Sequence, residues 1–143
     1  MDVYEYTALK ADLSKIRVMA LLPGDFESPI IVSLSTIALE EIDTLMPSTE
    51  ALSYAWGPLN ERLEITVKGH KNGTFSITAN LAKGLKYLRN STAARLLWID
   101  AICINQQDLE ERGRQVRLMA KIYSRLNACC CGLDQNRKIV TSQ

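Results

Sequence analysis

The stretch Leu96–Tyr123, LLWIDAICINQQDLEERGRQVRLMAKIY, constrains the fold most. Its four leading apolar residues, Leu96-Leu97-Trp98-Ile99, read as a strand buried on both faces, because a short continuous apolar run leaves no face for water. Asp100 closes the run and Asn105-Gln106-Gln107-Asp108 forms a polar knot. A charged segment with an apolar stripe follows, which predicts an amphipathic helix. Asp108 is a suitable N-cap, and Glu111 stands three residues on, where a capping box places its acid. Leu109, Val116, Met119, Tyr123 and Leu126 share one stripe, the expected buried face, with Arg112, Arg114, Arg117 and Lys121 mostly on the other side. Gly113 costs such a helix roughly 1 kcal/mol relative to alanine. Strand, polar turn and helix in this order are how α/β proteins place their sites, at the carboxyl ends of strands.

The remaining chain supplies the partners of that unit. Lys15–Leu22 alternates, with Ile16, Val18, Ala20 and Leu22 on one face, which predicts a strand. Pro23-Gly24-Asp25 is turn chemistry, and Ile30-Ile31-Val32 is a second β-branched run, so an antiparallel pair is expected. A short helix is expected to open at Ser35 and to end at Pro47. Ala51–Trp56 reads as a third strand, closed by Gly57-Pro58. Arg62–Lys68 alternates, and Phe75 and Ile77 repeat the pattern after Asn72-Gly73, a hairpin signal. Thr78 or Asn80 caps a helix whose apolar positions are Leu81, Leu85 and Leu88. Ala128–Leu133 is a last short strand, and the tail from Gln135 has little pattern. The expected class is therefore α/β. A mixed sheet has a βαβαβ core in a TIR-like or flavodoxin-like arrangement, plus N-terminal strands and a β-hairpin insertion. One domain spans residues 1–134, with a tail over 135–143. The ends of the strands at Ala51 and Leu96 are expected to meet at one crevice.

Composition narrows the function classes. Of the 143 residues, 47% are hydrophobic and 23% charged, the balance of a globular domain. A net charge of +1 gives no global field for nucleic acid or an anionic membrane. No apolar run approaches the ~20 residues of a spanning helix, and the N-terminus lacks the apolar core of a secretory signal. The four cysteines, Cys103 and Cys129-Cys130-Cys131, are therefore expected as reduced thiols in a cytoplasmic setting. Three adjacent cysteines lack the separated pairs zinc takes, so no metal site is expected.

ALSYAWG (Ala51–Gly57) followed by LWIDAICINQQDLEERGRQVRLMAKIYS (Leu97–Ser124) strongly resembles the fungal heterokaryon incompatibility (HET) domain. Ile16-Arg17, Leu22-Pro23-Gly24, Ile65–Gly69, Asn80-Leu81 and Leu85–Arg89 support the resemblance in order and without large gaps. It implies a fungal protein of non-self recognition, a form of innate immunity, whose domain triggers programmed cell death, read here as a signalling and assembly module. Protein partners or self-association are implied, with no nucleic acid and no membrane segment. The family's distant likeness to TIR domains implies an alternative, an NAD-hydrolysing enzyme with NAD as substrate and no bound cofactor. At its end the chain departs from the family pattern: Gly132-Leu133-Asp134 stand where the family closes a strand with Trp-Leu-Gly, and Leu126 replaces a small residue. An inactive, truncated copy is the expectation that this departure raises.

The candidates for chemistry each carry two readings. Asp100 is either a carboxylate at the crevice, base or ligand, or a structural acid that accepts backbone N–H groups from the Asn105 turn. Glu111 is either a carboxylate that stabilises an oxocarbenium-like ribosyl centre or the acid of the capping box; Glu110 is its equal neighbour. Arg112 either pairs with Asp100 or a phosphate, or lies on a solvated helix face. Ser53, Tyr54, Trp56, Gly57, Asn105, Gln106 and Gln115 are candidate ligand-binding residues. Against that reading, Tyr54 and Trp56 fit a strand's core, Asn105 fits a turn, and Ser53 has no adjacent His-Asp pair. His70, the only histidine, falls in a hairpin loop.

Overall fold

The computed structural model describes residues 2–9, 14–52, 60–133 and 139–142, the segments 127–133 and 139–142 as backbone. The strand expected from Lys15 forms as β1 (Lys15–Leu21) and pairs antiparallel with β2 (Ile31–Ala38), Ile16 opposite Ile37 and Leu21 opposite Val32. Both faces of β1 are covered: Ile16 and Val18 on one side, Arg17, Met19 and Leu21 on the other, are buried. The helix expected to open at Ser35 starts later. Ser35–Ala38 completes β2 because each residue pairs along β1, and ladder pairing outweighs serine's weak preference for a cap. A 3₁₀ turn over Leu39–Glu41 and the short α1 (Ile42–Leu45) follow, burying Leu39 and Ile42.

The strand expected at Ala51 appears as β3 (Glu50–Leu52), and residues 53–59 lie outside the described ones. The hairpin forms as β4 (Arg62–Lys68) and β5 (Gly73–Thr78), with Leu63 opposite Ile77. The helix α2 (Ala79–Leu88) is capped by Thr78, whose hydroxyl accepts from Leu81 N at 3.2 Å, and it buries Leu81, Leu85 and Leu88 as expected. The apolar run gives β6 (Arg95–Trp98), and the last strands are β7 (Asn127–Leu133) and β8 (Ile139–Ser142). β8 lies in the stretch that reads as a patternless tail and pairs antiparallel with β7.

β6 and β7 both run parallel to β3 and flank it, Glu50 aligned with Leu97 on one side and Asn127 on the other. This is the expected βαβαβ core, in the 2-1-3 strand order with which flavodoxin-like sheets begin. The N-terminal strands and the hairpin extend the same sheet, since β1 pairs antiparallel with β6 and β2 pairs parallel with β4. The resulting mixed sheet has the order β5-β4-β2-β1-β6-β3-β7-β8.

One element has no periodicity in the sequence. Residues 2–9 form a strap that starts on the outer edge of β5 and runs on to Ile102 and Arg17. Tyr4 N donates to Thr74 O and Thr74 N to Asp2 O, both at 2.8 Å. Gly73 permits this approach, because a Cβ there would stand 2.4 Å from Tyr4 Cα. The strap also closes a sheet edge that would otherwise expose unpaired backbone groups.

Candidate functional site

The carboxyl end of β6 leads directly into the site. Ile99 caps a single helical turn, α3 (Asp100–Cys103), through Cys103 N donating to Ile99 O at 2.8 Å. The chain then turns at Asn105, whose Oδ1 accepts from Gln107 N at 3.2 Å, the turn-making role expected of asparagine. Asp108 caps α4 (Leu109–Arg125), its side chain accepting from Glu111 N at 3.1 Å. Half of the capping box is thus present. The other half is redirected: the Glu111 carboxylate turns inward, not back to Asp108.

Glu111 is 1% exposed and meets Arg17 of β1 in a bidentate pair, with Nη1 and Nη2 each 2.7 Å from a carboxylate oxygen. Asn105 N donates to the same carboxylate at 2.7 Å. Arg17 also donates to Cys103 O at 3.1 Å and to Thr7 O at 2.9 Å, and its guanidinium lies 4.6 Å from the Tyr6 ring centroid. Tyr6 OH donates to Ile102 O at 2.6 Å. Two desolvated charges are tolerable only with good geometry and further hydrogen bonds, and here both carboxylate oxygens and both terminal guanidinium nitrogens are bonded. It ties together the strap, β1, α3, the Asn105 turn and α4.

Beside this cluster lies a cavity of about 540 Å³, walled by Tyr4 and Tyr6 of the strap, Phe75 of β5, Ala101, Asn105 and Gln106. The volume falls within the range of small-molecule sites. Tyr6 and Phe75 pack edge to face at 5.9 Å between centroids. Gln106 Nε2 donates to Asp100 O at 3.0 Å, which fixes the side chain at the cavity wall.

Burial sets the ionisation of the groups around the cavity. The Asp100 carboxyl is held above its usual range by desolvation, against the opposing pull of the backbone N–H groups of Ala101 and Asp100 itself. The thiol of Cys103 is pushed up to about 12 by complete burial. Burial also raises the Tyr6 phenol, although nearby Arg17 acts the other way.

The residues singled out in the sequence are placed as follows. Asn105 and Gln106 line the cavity. Asp100 is half-buried at the start of α3, and the N–H of the Asn105 turn serves Glu111 instead. Arg112 is exposed on α4, and among the described residues no hydrogen bond or ion pair joins Asp100, Glu111 and Arg112. Gln115 is buried, donates to Lys15 O at 2.9 Å, and has an Oε1 without a hydrogen-bond partner among the described residues. Glu110 and His70 are exposed. Ser53, Tyr54, Trp56 and Gly57 lie outside the described residues. Among the described residues no group of three His, Cys, Asp or Glu side chains is arranged to hold a metal, and no helix is long and apolar enough to cross a membrane.

Sequence reasoning missed Arg17 and the strap. A signal for Arg17 was present: it is the one charge inside IRVMAL, a run apolar on both faces, and a buried charge needs a partner. The expected helix stripe is also corrected. Leu109 and Val116 are exposed, and the inner face is Glu111, Gln115 and Ile122 with Leu118, Met119 and Tyr123. Docking onto Arg17 and Lys15 O turns the polar residues inward.

The family described as Heterokaryon incompatibility protein (HET) matches residues 50–141, from β3 to β8. Heterokaryon incompatibility protein 6, OR allele, of Neurospora crassa is 35% identical over 132 residues, covering 85% of this chain and 19% of that protein. The chain therefore spans about a fifth of the length of that relative. No solved structure matches it.

Proposed function

We propose that this chain, which belongs to the heterokaryon incompatibility family, is a cytoplasmic module of fungal non-self recognition. It acts by assembly with protein partners or with itself, and its engagement leads to programmed cell death. The observation that carries the assembly reading is the state of Glu111. Both of its oxygens are committed to Arg17 and Asn105 N, and water does not reach it. A carboxylate so placed holds the walls of the site together instead of meeting a ligand.

A second reading, TIR-like hydrolysis of NAD, draws on Asp100. Its carboxyl is half-buried and held above the usual range, the state from which an acid donates a proton. It adjoins Ala101, which lines the cavity.

Induced expression in fungal hyphae, with viability and total NAD followed together, separates the two. Death with NAD unchanged supports assembly. A fall in NAD before death, abolished by Asp100→Asn, supports hydrolysis. Neither change overturns both and leaves an inactive copy.

A further inference from the structure

α4 is built inside out over its first three turns. Its inner face carries Glu111 and Gln115, while its outer face carries Leu109, Gly113, Val116 and Ala120. These four follow i, i+4, i+7 and i+11, one continuous stripe. Leu109 is 69% exposed and Val116 54%. At Gly113 a Cβ would meet only Arg117 Nη1, the far end of a flexible side chain, at 3.6 Å, so no rigid group blocks close approach once that guanidinium turns aside. Exposed Arg112 borders it on one side and exposed Arg117 on the other.

We infer that this face of α4 docks an amphipathic helix of a partner protein, with an apolar stripe flanked by carboxylates. The apolar stripe provides the area to bury, Gly113 lets the partner's backbone come near, and the two guanidinium groups select the sign of the flanks. A second copy paired antiparallel about the centre of the stripe would set like flank against like, Arg112 beside Arg112 along one edge, whereas a carboxylate-flanked helix meets both guanidinium groups with opposite charge. The inference rests on the assembly reading and gives it a surface.

The test uses the whole chain and two helical peptides with the same leucine stripe, one flanked by glutamate and one by lysine. The glutamate peptide is expected to bind saturably, and the lysine peptide about tenfold more weakly or worse, a difference of about 1.4 kcal/mol. Val116→Asp is expected to abolish binding. The double change Arg112→Glu and Arg117→Glu is expected to reverse the preference. Both variants alter exposed positions, and their melting curves report whether the fold is kept. Equal binding of the two peptides, no binding, binding that survives Val116→Asp, or dimerisation of the chain lost in that variant would each overturn the inference. Cell death by a chain that binds neither peptide refutes this surface alone. Peptide binding by a chain that does not kill supports the surface and counts against the assembly reading.

Discussion

Arg17 and Glu111 stand 94 positions apart in the chain and meet through two hydrogen bonds of 2.7 Å with almost no exposure to water. Around them converge Thr7 O, Cys103 O and Asn105 N, each from a different segment. Arg17 precedes the family match at residues 50–141, whereas its partner Glu111 lies within it. The N-terminal strands therefore complete the site, because one of them carries the guanidinium that fixes the turn after β6.

Cys103 is expected to be inert in the folded protein. Thiolate is the reactive form, and burial pushes this thiol up to about 12, so it stays protonated at pH 8. Peptide mapping after iodoacetamide treatment at pH 8 should find Cys103 unmodified in the native chain and alkylated in urea. Rapid native labelling would contradict its burial.

Asp100 gives stability a pH dependence of defined sign. Its folded carboxyl lies above the ordinary value through desolvation, so the folded state binds the proton more tightly than the unfolded one. Its contribution is fully present below the ordinary carboxylate range and is lost as pH rises through the raised value. Asp25, held low by hydrogen bonds from Ser28 and Glu27, acts in the opposite direction, so the expected outcome is a difference: with rising pH across that window the urea midpoint of the parent should fall relative to that of Asp100→Asn. An identical slope in the two proteins would contradict this account.

Much of this architecture is legible in the sequence, and the failures share a cause. β1, the β4–β5 hairpin, the Thr78 cap and β6 follow from local pattern and turn chemistry. The Asp108 cap of α4 follows likewise. Ser35 reads as a helix start only while its pairing to Val18 is unknown. The stripe through Leu109 and Val116 reads as core because apolar periodicity does not see Arg17, which draws Glu111 inward. The strap has no pattern of its own, since its place is set by Gly73 and Thr74 across the sheet edge. Asn105 and Gln106 are legible as a polar knot, but the cavity they line needs the strap as its opposite wall.

Gly73→Ala tests that wall. The added Cβ would fall 2.4–2.5 Å from the Tyr4 backbone, and the strap must move. Crowding of this kind costs typically about 1–3 kcal/mol. The variant should melt earlier, and chymotrypsin should cut after Tyr4 and Tyr6 faster than in the parent. Unchanged melting and unchanged cleavage would show that the strap does not pack on Gly73.

The most direct measurement is a double-mutant cycle on the buried pair by urea denaturation, with Arg17→Met, Glu111→Leu and the double variant. Each single change strands a charge away from water and is expected to cost about 3–5 kcal/mol. The double variant removes both charges and is expected to cost well under the sum of the two. Single costs below about 1 kcal/mol that simply add, as for exposed ion pairs, would contradict the claim that Arg17 and Glu111 hold the site together.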